Sequence, residues 1–225
     1  MEKKKSLIVP VRDQIFNKIR NAVLSNDYQP GEIIPIDRIA REYGVSSTPI
    51  REAFIRLESA GLLTLIPNRG AMVVEVTQKD ILNIWEMRKL IEPYAARTTA
   101  QYDIEEDICK LENDVRTLLE NNFERDLYIA TDENVHMLFF KHIDNDFMLE
   151  TIEKINNISL RMRYQAENFS KRNEAIMREV CTEHLQILDC LRSKDVQCIE
   201  KAIYTHLENG ELRTLRSRAA DRPIQ

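Results

Sequence analysis

The chain's 225 residues contain only four histidines, His136, His142, His184 and His206. Three of them, with Asp132, have the spacing of metal ligands. Asp132 and His136 stand at i, i+4, so they share one helical face with Ile129, Phe139 and Ile143. His184 falls in the stripe Val180, Ile187, Leu191, and His206 in the stripe Ile199, Ala202, Ile203. Three imidazoles and a carboxylate therefore point toward a common interior. His184 and His206 each lie 11 residues from Asp195, near the joint between the last two helices. In an antiparallel hairpin this sets them side by side, about 16 Å from the turn at a rise of about 1.5 Å per residue. A lone buried histidine is more often a hydrogen-bonded core residue than a ligand. Three with an aspartate, two at matched height, favour a bound cation. Nitrogen and oxygen donors suit zinc, nickel, manganese, iron or cobalt better than calcium. His142 lies about 240° around the helix from His136 and reads as a surface residue.

Arg88 is the next candidate. It sits inside the apolar stripe Ile81, Ile84, Trp85, Ile91, Ala95, and a buried guanidinium needs an anionic partner. Glu92 at i, i+4, or another acid of the bundle, is one such partner. A ligand carboxylate held between Arg88 and an open metal position is the other, and the sequence leaves the two level.

A second set of polar residues lies near the front. Ser47 and Arg51 share a face offset from the Ile50/Phe54/Leu57 stripe. Ser46, Ser47 and Thr48 offer short hydroxyls and free backbone N–H groups to phosphate. Arg69 stands at the tip of an expected hairpin, where it can enter a minor groove. Exposed arginines are usually just solvated, and any three-helix domain shows similar periodicity, so the pattern alone leaves DNA binding open.

The elements that must position these residues differ between the two regions. Four of the five glycines and six of the seven prolines fall within the first 93 residues. From Tyr94 to Asp221 there is no proline and one glycine, Gly210, a stretch able to sustain long helices. The composition shift sets a boundary near Val76–Gln78. Val11, Ile15, Ile19, Ala22 and Val23 mark a first helix. Ile36, Ile39, Ala40 and Tyr43 mark a second, ended by Gly44. Ser46, Ser47 or Thr48 can cap a third, with Pro49 in its first turn. Strands are expected at Leu62–Ile66 and Ala71–Val76, joined by Pro67-Asn68-Arg69-Gly70. Helix, turn, helix and a β wing make a winged helix-turn-helix over residues 8–76. Behind it, residues 77–219 read as an antiparallel all-helical bundle with spans near 78–100, 103–121, 124–143, 146–168, 172–192 and 195–217. The fold class is mainly α.

The net charge is −5. Residues 1–75 carry 11 Lys+Arg against 9 Asp+Glu, leaving 21 against 28 for the remainder. A mildly basic front thus precedes an acidic body, which permits a nucleic-acid surface without proving one. Glycine-rich dinucleotide and phosphate-loop motifs are absent. No stretch approaches the roughly 18 apolar residues of a membrane helix, and the basic start with Leu7-Ile8-Val9 is too short for a signal peptide. Cys109, Cys181, Cys190 and Cys198 form no C-x-x-C pair. These features lead to the expectation of a cytoplasmic protein with reduced thiols and no membrane partner.

The string from Ile39-Ala40-Arg41-Glu42-Tyr43-Gly44 through Val45-Ser46-Ser47-Thr48-Pro49-Ile50-Arg51-Glu52-Ala53-Phe54 resembles the GntR-family helix-turn-helix. The continuation Gly61-Leu62-Leu63 and Pro67-Asn68-Arg69-Gly70-Ala71 is similar too. The resemblance implies DNA contacts at Ser46, Ser47, Thr48 and Arg51, with Arg69 and Gly70 on the wing. Arg38 is a further expected contact, one residue later than relatives often place it. Ser47 stands where relatives often carry arginine, so operator sequences do not transfer.

In the rear region, Glu86-Met87-Arg88-Lys89-Leu90-Ile91-Glu92-Pro93-Tyr94-Ala95-Ala96 resembles the opening helix of the FCD domain in the FadR branch of these regulators. Asp132-x-x-x-His136, Glu183-His184-Leu185 and Thr205-His206-Leu207 resemble its metal-ligand segments. Six helices resemble its VanR-type subgroup. The resemblance implies a divalent metal, zinc or nickel, on Asp132, His136, His184 and His206, and a small organic acid at Arg88. The expected function is a homodimeric transcription regulator, a repressor acting on a palindromic operator, whose DNA affinity follows the effector. One alternative is a regulator that senses the metal itself. A metal-dependent hydrolase is disfavoured, since H-E-x-x-H is absent and Glu183 faces about 100° away from His184. The chain is not expected to be an enzyme.

Overall fold

A computed structural model of the chain describes residues 10–120, 124–166 and 171–220. It divides into two compact units between Val76 and Thr77.

The first unit follows α1 (Val11–Leu24), β1 (Ile33–Ile34), α2 (Ile36–Tyr43), α3 (Ser47–Ser59), β2 (Leu63–Ile66) and β3 (Gly70–Val73). Ile15 and Ile19 of α1, Ile39 of α2, and Ile50, Phe54 and Leu57 of α3 are fully buried, as their helical spacing requires. Gly44 closes α2 in the left-handed region at φ 63°. The sheet runs β1-β3-β2, all antiparallel, with Leu63 opposite Val73 and Ile66 opposite Gly70. The strands expected at Leu62–Ile66 and Ala71–Val76 form over Leu63–Ile66 and Gly70–Val73, so Gly70 joins the ladder and the second strand stops three residues early. β1 was not foreseen. Two residues between Glu32 and Pro35 are too few for an alternating pattern, and their pairing to Met72 and Ala71 is fixed only by the tertiary fold. Gly70 (φ 129°) is demanded here, because a Cβ at that position would overlap the Ile34 carbonyl oxygen.

Among the described residues the second unit holds six helices: α4 (Gln78–Thr99), α5 (Glu105–Glu120), α6 (Arg125–Leu138), α7 (Asp146–Ala166), α8 (Lys171–Ser193) and α9 (Val196–Ala220). Thr77 and Asp80 form a reciprocal capping box that starts α4. α4 packs on α9, α9 on α8, and α8 on α5. Close approach of α4 to α9 depends on Gly210, where a Cβ would come within 2.5 Å of the Trp85 indole.

Two expectations are corrected. First, α6 ends at Leu138 rather than near 143. Bonds from Phe139, Phe140 and Lys141 reach back only three residues, and the Thr99 hydroxyl donates to the Phe139 carbonyl at 2.7 Å. The turn that follows turns His142 inward. It is half-buried and stacks on Tyr102 with centroids 4.2 Å apart, so it is not the surface residue that an unbroken helix implies. Second, the four thiols are not all free. Cys190 and Cys198 form a disulfide across the α8–α9 turn, where an antiparallel hairpin sets these positions opposite each other with Cα atoms 5.4 Å apart. Cys109 and Cys181 are free.

Candidate metal centre and nucleic-acid interface

The antiparallel hairpin of α8 and α9 brings His184 and His206 to a ring separation of 4.8 Å. His136 enters from α6, 5.2 Å from His206 and 5.6 Å from His184. All three rings are buried, and one nitrogen of each falls within a sphere where every pair is closer than 4.8 Å. Asp132 is buried on the same face of α6, with its carboxylate 3.7 Å from His184 Nε2. The four expected ligands are therefore brought together, with Asp132 at the edge of the three-nitrogen group.

Hydrogen-bond partners assign the tautomer of His206. His206 Nδ1 lies 2.7 Å from Glu183 Oε2, and His136 Nδ1 lies 2.9 Å from Glu92 Oε2. A carboxylate only accepts, so His206 Nδ1 carries the proton; His136 Nδ1 lies between Glu92 Oε2 and Arg88 Nη2, an acceptor and a donor, so its partners do not fix its proton. His206 Nε2 then presents its lone pair to the cluster, and it faces His136 Nε2 at 3.3 Å. Ligands about 2.0–2.1 Å from one tetrahedral metal stand about 3.4 Å apart. The residues present fit a divalent transition metal.

Electrostatics favour the ligand form of the site. Burial, followed by the Arg88 guanidinium, holds the His136 imidazole well below its usual value, so the ring stays neutral. Glu183 sits at about 2. Its burial acts in the opposite direction, and hydrogen bonds from His206 and Arg213 overcome it.

Arg88 is buried beside this cluster. Its Nε donates to Glu92 Oε1 at 2.6 Å, its Nη2 lies 3.0 Å from His136 Nδ1, and its guanidinium carbon stands 4.8 Å from the Trp85 ring. The partner present is thus Glu92, one of the two the sequence left open.

Sequence reasoning missed the carboxylates behind the histidines. It read Glu92 only as a partner for Arg88, and Glu183 as turned from His184. Glu183 is indeed turned from His184, toward His206 on the neighbouring helix. A signal was available, because His206, Asn209 and Arg213 share one stripe of α9 at i, i+3, i+7 and all three meet Glu183. Arg161 on α7 was also missed. It is fully buried, and burial lowers its pKa.

The first unit carries its polar candidates outside. Ser46 is the N-cap of α3, with no side-chain bond to the helix, and Ser47 is the first helical residue. Ser46, Thr48 and Arg51 are exposed, and Ser47 is half-buried. Arg51 is exposed while Phe54, about 60° round the helix from it, is buried, whereas Arg56 is tied to Asp13 and lies over Phe16. Arg38 is exposed, 3.7 Å from Glu32 and over the Tyr28 ring. Arg69 is exposed between β2 and β3, after Asn68 in the left-handed region at φ 60°. Gly70 is buried, and its place is explained by the β1 contact.

Residues 83–209 match the FCD domain, and residues 11–73 match the bacterial regulatory proteins of the gntR family. The chain belongs to the GntR family of transcriptional regulators and carries an FCD domain. Regulators of this family are not enzymes, which sets aside the hydrolase alternative. The regulator is similar to the HTH-type transcriptional repressor RspR of Escherichia coli K12, 28% identical over 217 residues that cover 94% of this chain and 93% of RspR. Its fold is similar to that of E. coli McbR/YncC, with a TM-score of 0.74 at 18% identity over 94% of this chain and 100% of the other. A GntR regulator of Rhodococcus sp. RHA1 gives 0.75 at 18% identity, over 91% and 97%. No helix among the described residues is long and apolar enough to cross a membrane.

Proposed function

We propose that this regulator binds a palindromic operator as a homodimer, and that a small carboxylate effector at a divalent-metal site controls its DNA affinity. Residues 8–76 grip DNA, and residues 77–219 hold metal and effector and form the dimer. The observation that carries this reading is the buried cluster of His136, His184 and His206, whose ligand nitrogens lie within 4.8 Å of one another, with Asp132 beside them. Zinc or nickel fits these donors best. The metal would supply a Lewis-acid position for a carboxylate, and the buried charge of Arg88 would orient it.

The open N-terminus of α3 supports DNA binding, since its exposed hydroxyls and backbone N–H groups suit phosphate and Arg51 suits a base edge. Arg38, Ser46, Ser47, Thr48, Arg69 and Gly70 complete the proposed interface, with Gly70 acting through wing geometry. Met87, Leu90 and Tyr94 leave an exposed apolar face on α4, which supports a second copy as partner. The name of RspR supports repression, and the six helices support the VanR-like subgroup of the FadR branch. Such a regulator works in the cytoplasm.

The test is operator selection from a random DNA pool, followed by affinity measurements on zinc- or nickel-loaded protein across a panel of organic acids. A carboxylate that changes DNA affinity is the expected result. Loss of that response in Arg88→Ala, with metal retained, assigns Arg88 to the effector. An unchanged response removes it. The Arg88–Glu92 pair favours a second reading, in which the metal itself is the signal. DNA affinity with and without metal, at fixed carboxylate, separates the two. Coupling in either case requires the ligand to bind two arrangements of the protein unequally.

A further inference from the structure

We infer that Glu183 is the positioning residue that fixes His206 for metal binding, and that Arg213 and Asn209 set its hold; the inference rests on the metal-site reading above. Four donors converge on this carboxylate. Oε2 accepts from His206 Nδ1 at 2.7 Å and from Arg213 Nη2 at 2.7 Å. Oε1 accepts from Asn209 Nδ2 at 2.8 Å and Arg213 Nη1 at 3.0 Å. The two-pronged guanidinium fixes the plane of the carboxylate, and the fixed oxygen in turn fixes the imidazole. With its Nδ1 proton held, His206 directs the Nε2 lone pair into the cluster and cannot flip without losing a charge-assisted bond. His136 is held differently, with its Nδ1 meeting both Glu92 Oε2 at 2.9 Å and Arg88 Nη2 at 3.0 Å. Second partners of this kind orient metal ligands and raise their basicity.

Glu183 differs from Glu92 in where its network leads. Glu92 is sealed in the core with Arg88. Glu183 also lines an open groove of about 520 Å³ between α8 and α9, with Glu179, Thr182, Asn209, Arg213 and Arg216. Arg213 is additionally 3.7 Å from Glu179 on that surface. Grip on the metal is therefore set in part by α9 residues that never touch it. A merely structural salt bridge would leave the imidazole tautomer and the metal affinity alone.

The experiment uses the full chain. Zinc affinity is measured by chelator competition for wild type, Glu183→Ala, Glu183→Gln and Arg213→Met. The His206 tautomer is read by nitrogen-15 NMR, which four histidines keep tractable. Glu183→Ala is expected to weaken zinc about 10–100-fold and to release the Nδ1–H form. Glu183→Gln keeps an acceptor but loses charge, so it and Arg213→Met should show smaller losses. These milder variants also carry the test if the alanine variant fails to fold. Equal zinc affinity with an unchanged tautomer in the Glu183 variants overturns the inference. Wild-type protein that takes neither zinc nor nickel overturns the metal reading instead. In that case the tautomer in metal-free protein still decides whether Glu183 holds His206.

Discussion

The two units bury different kinds of side chain. Residues 10–76 close around Ile15, Ile19, Ile39, Ile50, Phe54 and Val73, while Ser46, Thr48, Arg51 and Arg69 stay at the surface. In the second unit the polar groups are inside. Every buried polar or charged side chain among the described residues, from Arg88 to His206, belongs to it. The difference has a physical consequence. Surface contacts can be removed without touching the core that holds them. Buried polar groups must be satisfied by one another or by a ligand, so ligand binding and folding share the same free energy.

The largest effect expected from this contrast follows metal removal. A metal present at about 1,000 times its dissociation constant adds about 4 kcal/mol to the state that binds it. Chelation, or His184→Ala, should therefore lower the thermal transition of the second unit by several degrees and leave that of the first in place. Calorimetry on the intact chain reads both. Equal movement of the two transitions, or none, would break the comparison.

Next comes Arg51→Ala. A side chain reading a base edge contributes about 1–3 kcal/mol, so operator affinity should fall about 10–100-fold with unchanged circular dichroism and unchanged melting. Fluorescence anisotropy on a selected operator measures the loss. A variant that loses affinity only because it melts would show that the front unit is not a rigid platform for separable contacts.

Legibility in the sequence divides along the same line. The helices of both units follow from apolar periodicity, and Gly44 and Thr77 mark ends that local chemistry dictates. The His184–His206 pair was readable because hairpin register is counted from one turn. That register also sets Cys190 against Cys198 and Glu183 near His206, though neither was drawn from it. What the sequence hid were features fixed by distant partners. β1 exists only against β3, and the early end of α6 depends on Thr99 taking the Phe139 carbonyl. Glu92 read only as an i, i+4 partner for the buried Arg88, because nothing local announces His136 across the bundle.

Gly210→Ala sharpens the comparison at a helix contact. Alanine gains about 1 kcal/mol of helix propensity over glycine. Its Cβ would come within 2.5 Å of the Trp85 ring, and overpacking of this kind costs about 1–3 kcal/mol. The net result should be a modest loss of stability in the second unit. In a Trp85→Phe background, which removes the outer ring, the same substitution should become neutral or favourable. If alanine stabilises the wild-type background, the α4–α9 contact is looser than this geometry requires.

The smallest effect concerns a charge cluster on the second unit's surface, where the rule of the first unit should apply. Arg192 donates to Glu112 through Nη2 at 2.7 Å and Nη1 at 3.1 Å, and to Glu105 through Nε at 3.0 Å. The Arg192 hydrogen bonds hold the Glu112 carboxyl below its ordinary range, against the opposing effect of partial burial. A carboxyl with a lowered folded pKa contributes stability that is complete above its unfolded value of about 4.3. That stability is lost as pH falls through the lower folded value. Urea midpoints of the second unit should therefore decline on acidification below about pH 5. Glu112→Gln should lower the midpoint slightly at neutral pH and flatten that decline. Because the pair is only partly buried, the difference should shrink further in high salt. Parallel curves for wild type and variant at low salt would show that the pair adds nothing. A salt-independent difference would place Glu112 with the buried polar groups rather than with the surface.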